Sequence, residues 1–519
     1  LGGRACVSHG VCGVPATLSR NGTRGLCGIS MNVVEPILFQ ARHDPPAPAM
    51  CAPGTALGVI SYARLARFIH SAGHRAVRLG IAPKTVVAIQ VKDYIFHTTL
   101  ALGLMNIGAA TVSVGAAFPP DLRVDVIITD TPEGFGGGRN AKVVAVDLSW
   151  MSGKGVPVDE RHVYNGSGDD TCRIALTSGS TGEAKAVAFT HNNQLARLAR
   201  YNHVFGKTFP ECSRFFSDYG LGSSGGFRHI LYVLSRGGTM FFPGASPMET
   251  LQTFELYKVQ GLIASPGGLS GFLKFYSENT DFRSGFEIVL SAGSPLPHAL
   301  SEQVRARLCS NLIFYYGTTE TSTISSAPAH ALADVSGAAG YIAPDVAVRI
   351  VDNTGAILEP GQEGSVWVRT PVSVDGYLDD FAQSETSFRD GYFDTGDIGY
   401  VTPDKMLVIT GRKKEVLNLG GDKVSPRIIE DALTAFDGVH EAMAFSVPND
   451  MGIDEVWALI VHQDSLNEQA LRKHCEEKLA QTHVPVRFMS VAELPRNANG
   501  KVDRVQLSTM VQGLTGSPV

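Results

Sequence analysis

The sequence lacks the features that mark several classes of protein. It has no excess of basic residues, because 44 lysines and arginines stand against 50 acidic residues and give a net charge of −6, so we expect no nucleic-acid partner. Its 8 cysteines form no Cys-x-x-Cys pair and do not cluster with histidine, which argues against a zinc site and favours reduced thiols in a cytoplasmic protein. The richest apolar run, residues 96–110, is interrupted by polar side chains and is too short to span a bilayer. We therefore expect a buried helix there and no membrane span.

The first thirty residues lack acidic residues, lysine and apolar periodicity. Two interpretations stay open. An arginine- and serine-containing leader without acids is typical of a transit peptide, whereas translation from an upstream start would explain the random composition and the normal-looking amino terminus at Met31. We favour the second interpretation, and we predict disorder for residues 1–30 in either case.

The remaining chain has no internal repeat and no low-complexity tract, and at 519 residues it is long enough for at least two domains. Short β-branched strands alternate with helices, with a strand predicted at 86–91, a helix at 94–107 and a strand at 110–114. This βαβ pattern predicts an α/β protein with mainly parallel sheets.

The pattern changes twice further along the chain. After about residue 330, short strands separated by Asn-Thr-Gly, Pro-Gly and Pro-Asp turns predict a smaller β-rich subdomain. After Gly411, two strands, a helix and a final strand predict a small α+β domain. We therefore divide the chain into a large N-terminal domain at 31–411 and a small C-terminal domain at 412–519.

A loop rich in glycine and hydroxyl groups follows the strand that ends at Leu176, in the stretch LTSGSTGEAKAVAFTH. Glycines let the backbone approach an anion, hydroxyl groups add hydrogen-bond donors, and a lysine adds a positive charge. The candidate phosphate-binding residues are Thr177, Ser178, Gly179, Ser180, Thr181, Gly182 and Lys185. The loop differs from a P-loop, because neither Ser nor Thr follows the lysine.

Four further motifs follow in order: YYGTTE at 315–320, FDTGD at 393–397, GRKKEVLNLGGDKVSP at 411–426 and PRNANGKVDR at 495–504. With TSGSTGEAK they resemble the adenylate-forming superfamily over residues 31–507. The resemblance implies a large N-terminal domain of two mainly parallel α/β sheets plus a β-rich subdomain, and a small, mobile α+β C-terminal domain.

The resemblance also implies a reaction in two steps. A carboxylic acid and ATP, with Mg²⁺, give an acyl-adenylate and pyrophosphate, and the thiol of coenzyme A then displaces AMP. The partners are a small acid and CoA, and the protein could form a homodimer. A stand-alone ligase that loads the phosphopantetheine of a separate carrier protein is the alternative. A nucleotide-binding protein without activity is a third, but its sign would be the loss of Lys501, Glu320 or Asp397, and all three are present.

The resemblance assigns roles to particular residues. Glu320 and Thr177 lie near Mg²⁺, and Glu320, Lys185 and Lys501 are the catalytic residues. Tyr316 and Gly317 face adenine on one side, with Gly293, Ser294 and Pro295 on the other. Thr319 contacts the α-phosphate, and Thr318 is a further nucleotide-binding residue. Asp397 and Arg412 contact the ribose, where an ionised carboxylate can accept hydrogen bonds from both hydroxyl groups.

The C-terminal motifs imply the remaining roles. Lys501 would bridge the attacking carboxylate and the α-phosphate, where negative charge accumulates in the transition state. The small domain would turn about a hinge at Lys414, and Gly420 and Gly421 would line a narrow thiol channel.

Two positions depart from the family pattern. The phosphate loop ends in Ala184-Lys185-Ala186 where relatives usually have Pro-Lys-Gly, which should alter loop stiffness more than charge. Asn418 stands where many relatives have lysine, and this concerns the second step only.

The acid-binding region, FSDYGLGSSGGF at 216–227, is small and rich in glycine. Ser223 or Ser224 stands near the position where amino-acid-activating relatives have an acid, so a free amino acid is disfavoured unless a loop shift brings in Asp218. Arg228 and His229 could pair with a second carboxylate on the substrate, but we interpret them as helix-surface residues.

Overall fold

The fold is known from a computed structural model, which describes residues 32–115, 122–135, 141–152, 163–178, 184–206, 208, 212–278, 285–413, 415, 417–419, 422–449, 454–462, 466–496, 502 and 506. Within these ranges the strands form sheets of 14, 6, 3 and 2 strands. The predicted α/β class, with a large sheet-based N-terminal part and a smaller C-terminal domain, is confirmed. The predicted disorder of residues 1–30 lies outside the described residues.

The first part of the chain contains the βαβ unit predicted from the sequence. Its elements are α1 (Glu35–His43), β1 (Pro48–Ala52), β2 (Gly58–Ser61), α2 (Tyr62–Arg78), β3 (Val86–Gln90), α3 (Tyr94–Asn106), β4 (Ala110–Ser113), β5 (Val126–Thr129), β6 (Lys142–Ala145), β7 (Thr171–Ser178), β8 (Ala184–Thr190) and α4 (His191–Phe205). Side chains cap three of the helices, since Ser61, Asp93 and Thr190 accept hydrogen bonds from the first-turn amides of α2, α3 and α4. The apolar run at 96–110 lies largely in α3, and nearly all of that helix is buried.

Six of these strands form the first sheet, in the order β6-β5-β3-β4-β7-β8. Neighbouring strands are parallel except for β7 and β8, which are antiparallel. The carboxyl end of β7 therefore leads into the predicted phosphate loop, and β8 carries the chain back along the same sheet edge.

The second sheet begins with the next part of the chain. Its elements are β9 (Arg214–Ser217), α5 (Ser224–Ser235), β10 (Thr239–Phe241), α6 (Pro247–Leu256), β11 (Gly261–Ala264), α7 (Pro266–Glu278), β12 (Ile288–Ser291), α8 (His298–Arg307) and β13 (Leu312–Thr318). Strands β1, β10, β9, β11, β12 and β13 are parallel neighbours in that order. Their carboxyl ends lie at one edge, where ligands bind in open α/β sheets.

The β-rich region predicted after residue 330 continues this sheet. It contains β14 (Ser322–Pro328), β15 (Ala338–Ile342), β16 (Ala347–Val351), β17 (Gly364–Arg369), α9 (Phe381–Ser387), β18 (Phe388–Arg389), β19 (Tyr392–Val401) and β20 (Met406–Arg412). Strand β14 pairs antiparallel with β13, so the hydrogen-bonded ladder passes from the parallel half into an antiparallel half. Short 3₁₀ helices lie at Pro132–Phe135, Leu148–Met151, Ala329–Leu332 and Gln481–His483.

The C-terminal part has its own core. Its elements are β21 (Leu417–Leu419), β22 (Asp422–Val424), α10 (Pro426–Thr434), β23 (Val439–Pro448), β24 (Asp454–His462), α11 (Glu468–Lys478) and β25 (Arg487–Ser490). Residues of α10 and α11, including Leu433 and Leu471, pack on Ala458 and Ile460 of β24. Helix α10 also lies against β20, and the Ser336 hydroxyl donates a hydrogen bond to Asp431. No helix of the described residues combines the length and apolar character needed to cross a membrane.

Helices α2 and α3 approach each other closely in the main core. A Cβ atom at Gly103 would lie 2.7 Å from the Cβ of Ala72 and 2.8 Å from the carbonyl oxygen of Ile69. Gly73 faces Gly103 and has similar restrictions. The contact therefore requires glycine, because any side chain would separate the helices.

We expect Gly103→Ala to lower the free energy of unfolding by about 1–3 kcal/mol through overpacking. Gly271 in α7 is a matched control, because a Cβ atom there would meet nothing within 4 Å. Gly271→Ala should raise stability by up to about 1 kcal/mol through helix propensity. Urea-unfolding midpoints measure both effects, and equal shifts in the two variants would contradict the steric explanation.

Candidate nucleotide and acid site

The structure describes most of the residues that the sequence assigns to the site. The described residues are Thr177, Ser178, Lys185, Gly293, Ser294, Pro295, Tyr316, Gly317, Thr318, Thr319, Glu320, Asp397 and Arg412. Gly179, Ser180, Thr181, Gly182, Lys414, Gly420, Gly421 and Lys501 lie outside the described residues.

The ends of β7 and β8 bring two of the predicted phosphate ligands together. Thr177 and Lys185 are directly opposite each other in the ladder, and the Thr177 hydroxyl donates to the Lys185 carbonyl oxygen at 3.4 Å. Residues directly opposite on antiparallel strands share one face, so both side chains lie on the same side of the sheet. The half-buried Lys185 can therefore present its charge beside the Thr177 hydroxyl.

Tyr377 connects this lysine to Glu320, and the sequence analysis did not identify it. The Lys185 ammonium lies 4.6 Å from the centre of the Tyr377 ring, and the Tyr377 hydroxyl donates to Glu320 Oε1 at 3.0 Å. Burial and the Glu320 carboxylate raise the pKa of Tyr377, so the phenol stays protonated as a donor. The Leu378 amide donates to the Ala186 carbonyl at 2.8 Å, which fixes Tyr377 beside β8.

Glu320 lies in the tight turn between β13 and β14 and is only 6% exposed. Gly317 permits this turn, because a Cβ atom there would lie 2.4 Å from the Ser322 carbonyl oxygen. Ser322 has a φ of 66°, an unfavourable conformation for a residue with a side chain. The Thr318 hydroxyl accepts the Thr321 amide at 3.1 Å and closes the turn.

Two arginines of α4 hold the turn from below. The Arg197 guanidinium donates to the carbonyl oxygens of Thr319 and Glu320, both at 2.8 Å, and lies 4.4 Å from the centre of the Phe189 ring. Arg200 donates to the Thr323 carbonyl at 2.6 Å and pairs with Asp345. Burial lowers the pKa of Arg197 to about 9, which still leaves it protonated at neutral pH.

Neither arginine was predicted from the sequence to support the site. The sequence did contain a signal for them. The two arginines are three residues apart and so share one face of the helix, and each is followed directly by an apolar residue, Leu198 or Tyr201.

Asp397 is the centre of a second group of site residues. It is 4% exposed and accepts hydrogen bonds from the Tyr316 hydroxyl and from Arg412 Nε, the latter at 3.0 Å. Asp397 and Arg412 are opposite each other on β19 and β20. The carboxylate raises the pKa of Arg412, and burial together with Asp397 raises that of Tyr316. Three predicted nucleotide contacts thus lie side by side.

The segment after β12 reaches the same sheet edge, because β12 is parallel to β13. Gly293 has a φ of 95°, which favours glycine, and it is exposed with Pro295 beside the half-buried Ser294. Just before it, Tyr219 OH donates to the Ala292 carbonyl at 2.6 Å and accepts the Ala292 amide at 3.2 Å.

The interpretation of Arg228 and His229 as helix-surface residues is wrong. Arg228 is 6% exposed and His229 is fully buried, because other elements cover α5 on both sides. Ser223 is not a substrate ligand of the amino-acid type here, since its hydroxyl accepts the Gly226 amide at 2.9 Å as the cap of α5. Asp218 is exposed at the end of β9.

Comparison with known proteins adds independent information. The family profile of AMP-binding enzymes matches residues 39–378, and that of the AMP-binding enzyme C-terminal domain matches residues 428–501. A putative acyl-CoA ligase of Bacillus subtilis is 25% identical over 474 residues, which cover 86% of this chain and 93% of the relative. A 2-succinylbenzoate–CoA ligase of Bacillus licheniformis is 28% identical over 400 residues, with 74% and 79% covered.

Among solved structures, ATP-bound MatB from Rhodopseudomonas palustris has a similar fold. The TM-score is 0.79 at 23% identity, and the match covers 94% of this chain and 99% of that one. At this identity the likeness concerns the fold.

Proposed function

Since the chain belongs to the family of AMP-binding enzymes, we infer that its site uses ATP to activate a carboxylic acid for transfer to a thiol. The protein is an AMP-forming acid–CoA ligase. Within the structure, the observation that carries this function is the linkage of Lys185 on the first sheet, through Tyr377, to Glu320 on the second sheet, which also carries Asp397.

The proposed reaction has two steps, adenylate formation and thioester formation. An oxygen of the substrate carboxylate attacks the α-phosphorus of ATP, the bond to the β-phosphate oxygen breaks, and pyrophosphate leaves with the electron pair. The sulfur of the CoA thiol then attacks the acyl carbon, the bond to AMP breaks, and the thiol proton passes to solvent. Both steps bring anions together, so positive charge and oriented donors are what the protein must supply.

For ATP, we assign the β7–β8 end to the phosphates and the Tyr316 region to the nucleoside. Lys185 is held beside Thr177, as a phosphate ligand would need. Asp397 has lone pairs beyond those used by Tyr316 and Arg412, so it can also accept from ribose hydroxyl groups. We propose that the flat base lies between the Tyr316–Gly317 segment and the segment at Gly293.

For Mg²⁺, the donors present fit an ion shared with the substrate. The described residues contain no group of three or more His, Cys, Asp or Glu side chains that could enclose a metal. Mg²⁺ commonly uses one or two carboxylates together with phosphate oxygens. We propose that Glu320, with Thr177, would hold the ion, which would neutralise phosphate charge when bound.

Tyr377 completes this arrangement in our proposal. Its hydroxyl fixes one oxygen of Glu320, and its ring provides the face on which the Lys185 ammonium rests. Tyr377 is therefore a positioning residue that acts through Glu320 and Lys185.

We expect Tyr377→Phe to lower the rate of pyrophosphate release about tenfold and to raise the Mg²⁺ concentration for half-maximal rate, because it removes one hydrogen bond to a charged group. The KM for ATP should change little, since the ring remains. Tyr392→Phe is the matched control, since Tyr392 of β19 contacts Arg349 of β16 and Arg369 of β17 instead. An unchanged Mg²⁺ dependence in Tyr377→Phe would refute the positioning role.

We also propose Lys501 as the residue that stabilises the first transition state. Its neighbours Arg496 and Val502 pair with each other, and Arg496 forms an ion pair with Glu441 at 2.6 Å on the C-terminal sheet. The described residues on either side of Lys501 thus belong to the small domain.

Lys501→Ala should lower pyrophosphate release by about 10²–10³, as in comparable oxyanion sites. The variant should still convert a supplied acyl-adenylate to the thioester. Adenylate formation at the native rate would show that Lys501 has another role.

We propose that the domain boundary lies at 411–412, that the small domain turns about Lys414 between the two steps, and that Gly420 and Gly421 line the thiol channel. The ion pair between Lys413 and Asp394, at 2.5 Å, anchors the chain to the large domain just before the proposed hinge. The relatives' names favour CoA over a carrier protein as the acceptor. Cytoplasmic location and a homodimer stay predictions.

Lys414→Pro should slow the thiol step more than adenylate formation, because proline fixes φ at the hinge. Single-turnover measurements of each step provide the comparison. Equal losses in both steps would argue against a hinge at this residue.

A further inference from the structure

A group of buried polar side chains lies one helical turn below open space at the start of α5. A Cβ atom at Gly225 would meet nothing within 4 Å. Arg228 and His229 follow three and four residues later, on the same helix face, and helical side chains lean toward the preceding turn. Both residues therefore lie on the helix face that carries Gly225, one turn further along α5.

Four other residues surround these two. The Arg228 guanidinium donates from Nη1 to the Ser322 hydroxyl at 2.9 Å and lies 5.1 Å from the centre of the Tyr201 ring. His229 Nε2 lies 3.3 Å from the Tyr315 hydroxyl, and the His229 and Tyr219 ring centres are 5.9 Å apart. We call Arg228, His229, Tyr201, Tyr219, Tyr315 and Ser322 the Arg228 cluster.

Several polar atoms of this cluster have no hydrogen-bond partner among the described residues. They are Arg228 Nε, His229 Nδ1 and the Tyr201 hydroxyl, all of them buried. Burial, with the charge of Arg228, lowers the pKa of His229 and keeps the ring neutral. Buried polar groups are normally satisfied, so three unsatisfied atoms at one place indicate a missing partner.

Among the described residues, Arg228 has neither the carboxylate that pairs with Arg200 nor the carbonyl acceptors of Arg173 and Arg197. Arg200 pairs with Asp345, and Arg173 donates to Thr111, Ser113 and the Leu221 carbonyl. Arg197 donates to three carbonyl groups. In the part of the chain that the structure describes, no carboxylate pairs with Arg228. A buried cation of this kind is costly unless an anion completes the pair.

The cluster lies between the two segments that border the reacting groups. Tyr219 connects it to Ala292, next to the predicted adenine segment, and Ser322 connects it to the turn that carries Glu320. An acid whose reacting carboxylate lies near that turn would extend its other end toward the cluster.

We propose that Arg228 binds a second carboxylate of the substrate, so that the enzyme activates dicarboxylic acids. This inference rests on the proposed function, since it identifies the acid of that reaction. One carboxylate attacks ATP, while the other stays ionised and forms a charge-assisted pair with the guanidinium. The neutral His229 and the Tyr201 hydroxyl supply additional donors at the same place.

The test compares acids of equal length that differ only in the second carboxylate: butanoate with butanedioate, hexanoate with hexanedioate, and octanoate with octanedioate. Pyrophosphate release gives kcat/KM for each. The native enzyme should prefer the dicarboxylate of at least one pair by about tenfold or more, since hydrogen bonds to charged groups have about this effect. Preference for the monocarboxylate in every pair would overturn the proposal without any variant.

Variants separate recognition from support of the turn. Arg228→Gln should lower kcat/KM for the preferred dicarboxylate about 10- to 100-fold while changing the monocarboxylate about threefold or less. Arg228→Lys, which keeps the charge, should retain part of the preference. Arg200→Gln is the matched control, because it removes a buried arginine that supports the same turn, and it should reduce both rates by the same factor.

Two results have distinct meanings. If Arg228→Gln reduces both acids equally, as Arg200→Gln should, Arg228 only supports the turn and the proposal is wrong. If neither these acids nor benzoate and phthalate support ATP-dependent pyrophosphate release by the native protein, the proposed function itself fails.

Discussion

The site depends on buried guanidinium groups that replace water as partners of backbone carbonyls. The β13–β14 turn holds the buried Glu320 at a sheet edge, and it contains a residue with positive φ and a glycine in close backbone contact. Such a turn leaves carbonyl groups without partners in the ladder. Arg197 and Arg200 satisfy the carbonyls of Thr319, Glu320 and Thr323, so the strained conformation is held without solvent.

This arrangement also explains how distant parts of the chain reach one place. Helix α4 follows β8 directly, so the strand that completes the hairpin leads at once into the helix whose arginines hold the Glu320 turn. Tyr377 closes the connection from the other side, between β8 and the same turn. A displacement of α4 would therefore move the end of β8 and the Glu320 turn together.

Local patterns predicted the elements of the fold well, because the periodicity of strands and helices depends on the order of apolar and polar residues within a short segment. The helix at 94–107 and the strands around it are close to α3, β3 and β4 as observed. Contacts between residues that are distant in the sequence were harder to predict. Tyr377 reaches its position through the hydrogen bond between Leu378 and Ala186. Helix α5 has no exposed face because α1, α4, β9 and β10 pack around it, so Arg228 and His229 were wrongly predicted on the surface. The continuation of the second sheet through β14 is likewise a long-range pairing that no local pattern reports.

The β7–β8 ladder has a consequence for the entropy of nucleotide binding. The ladder extends to the pair Ser178 and Ala184, so both ends of the intervening segment are already fixed at the distance of neighbouring strands. The loop-closure entropy is thus lost during folding and not again when a nucleotide arrives. Alanine at position 184 keeps the amide hydrogen that proline would lack. The pairing of Ser178 with Ala184 thus couples the ends of this segment to the stability of the first sheet.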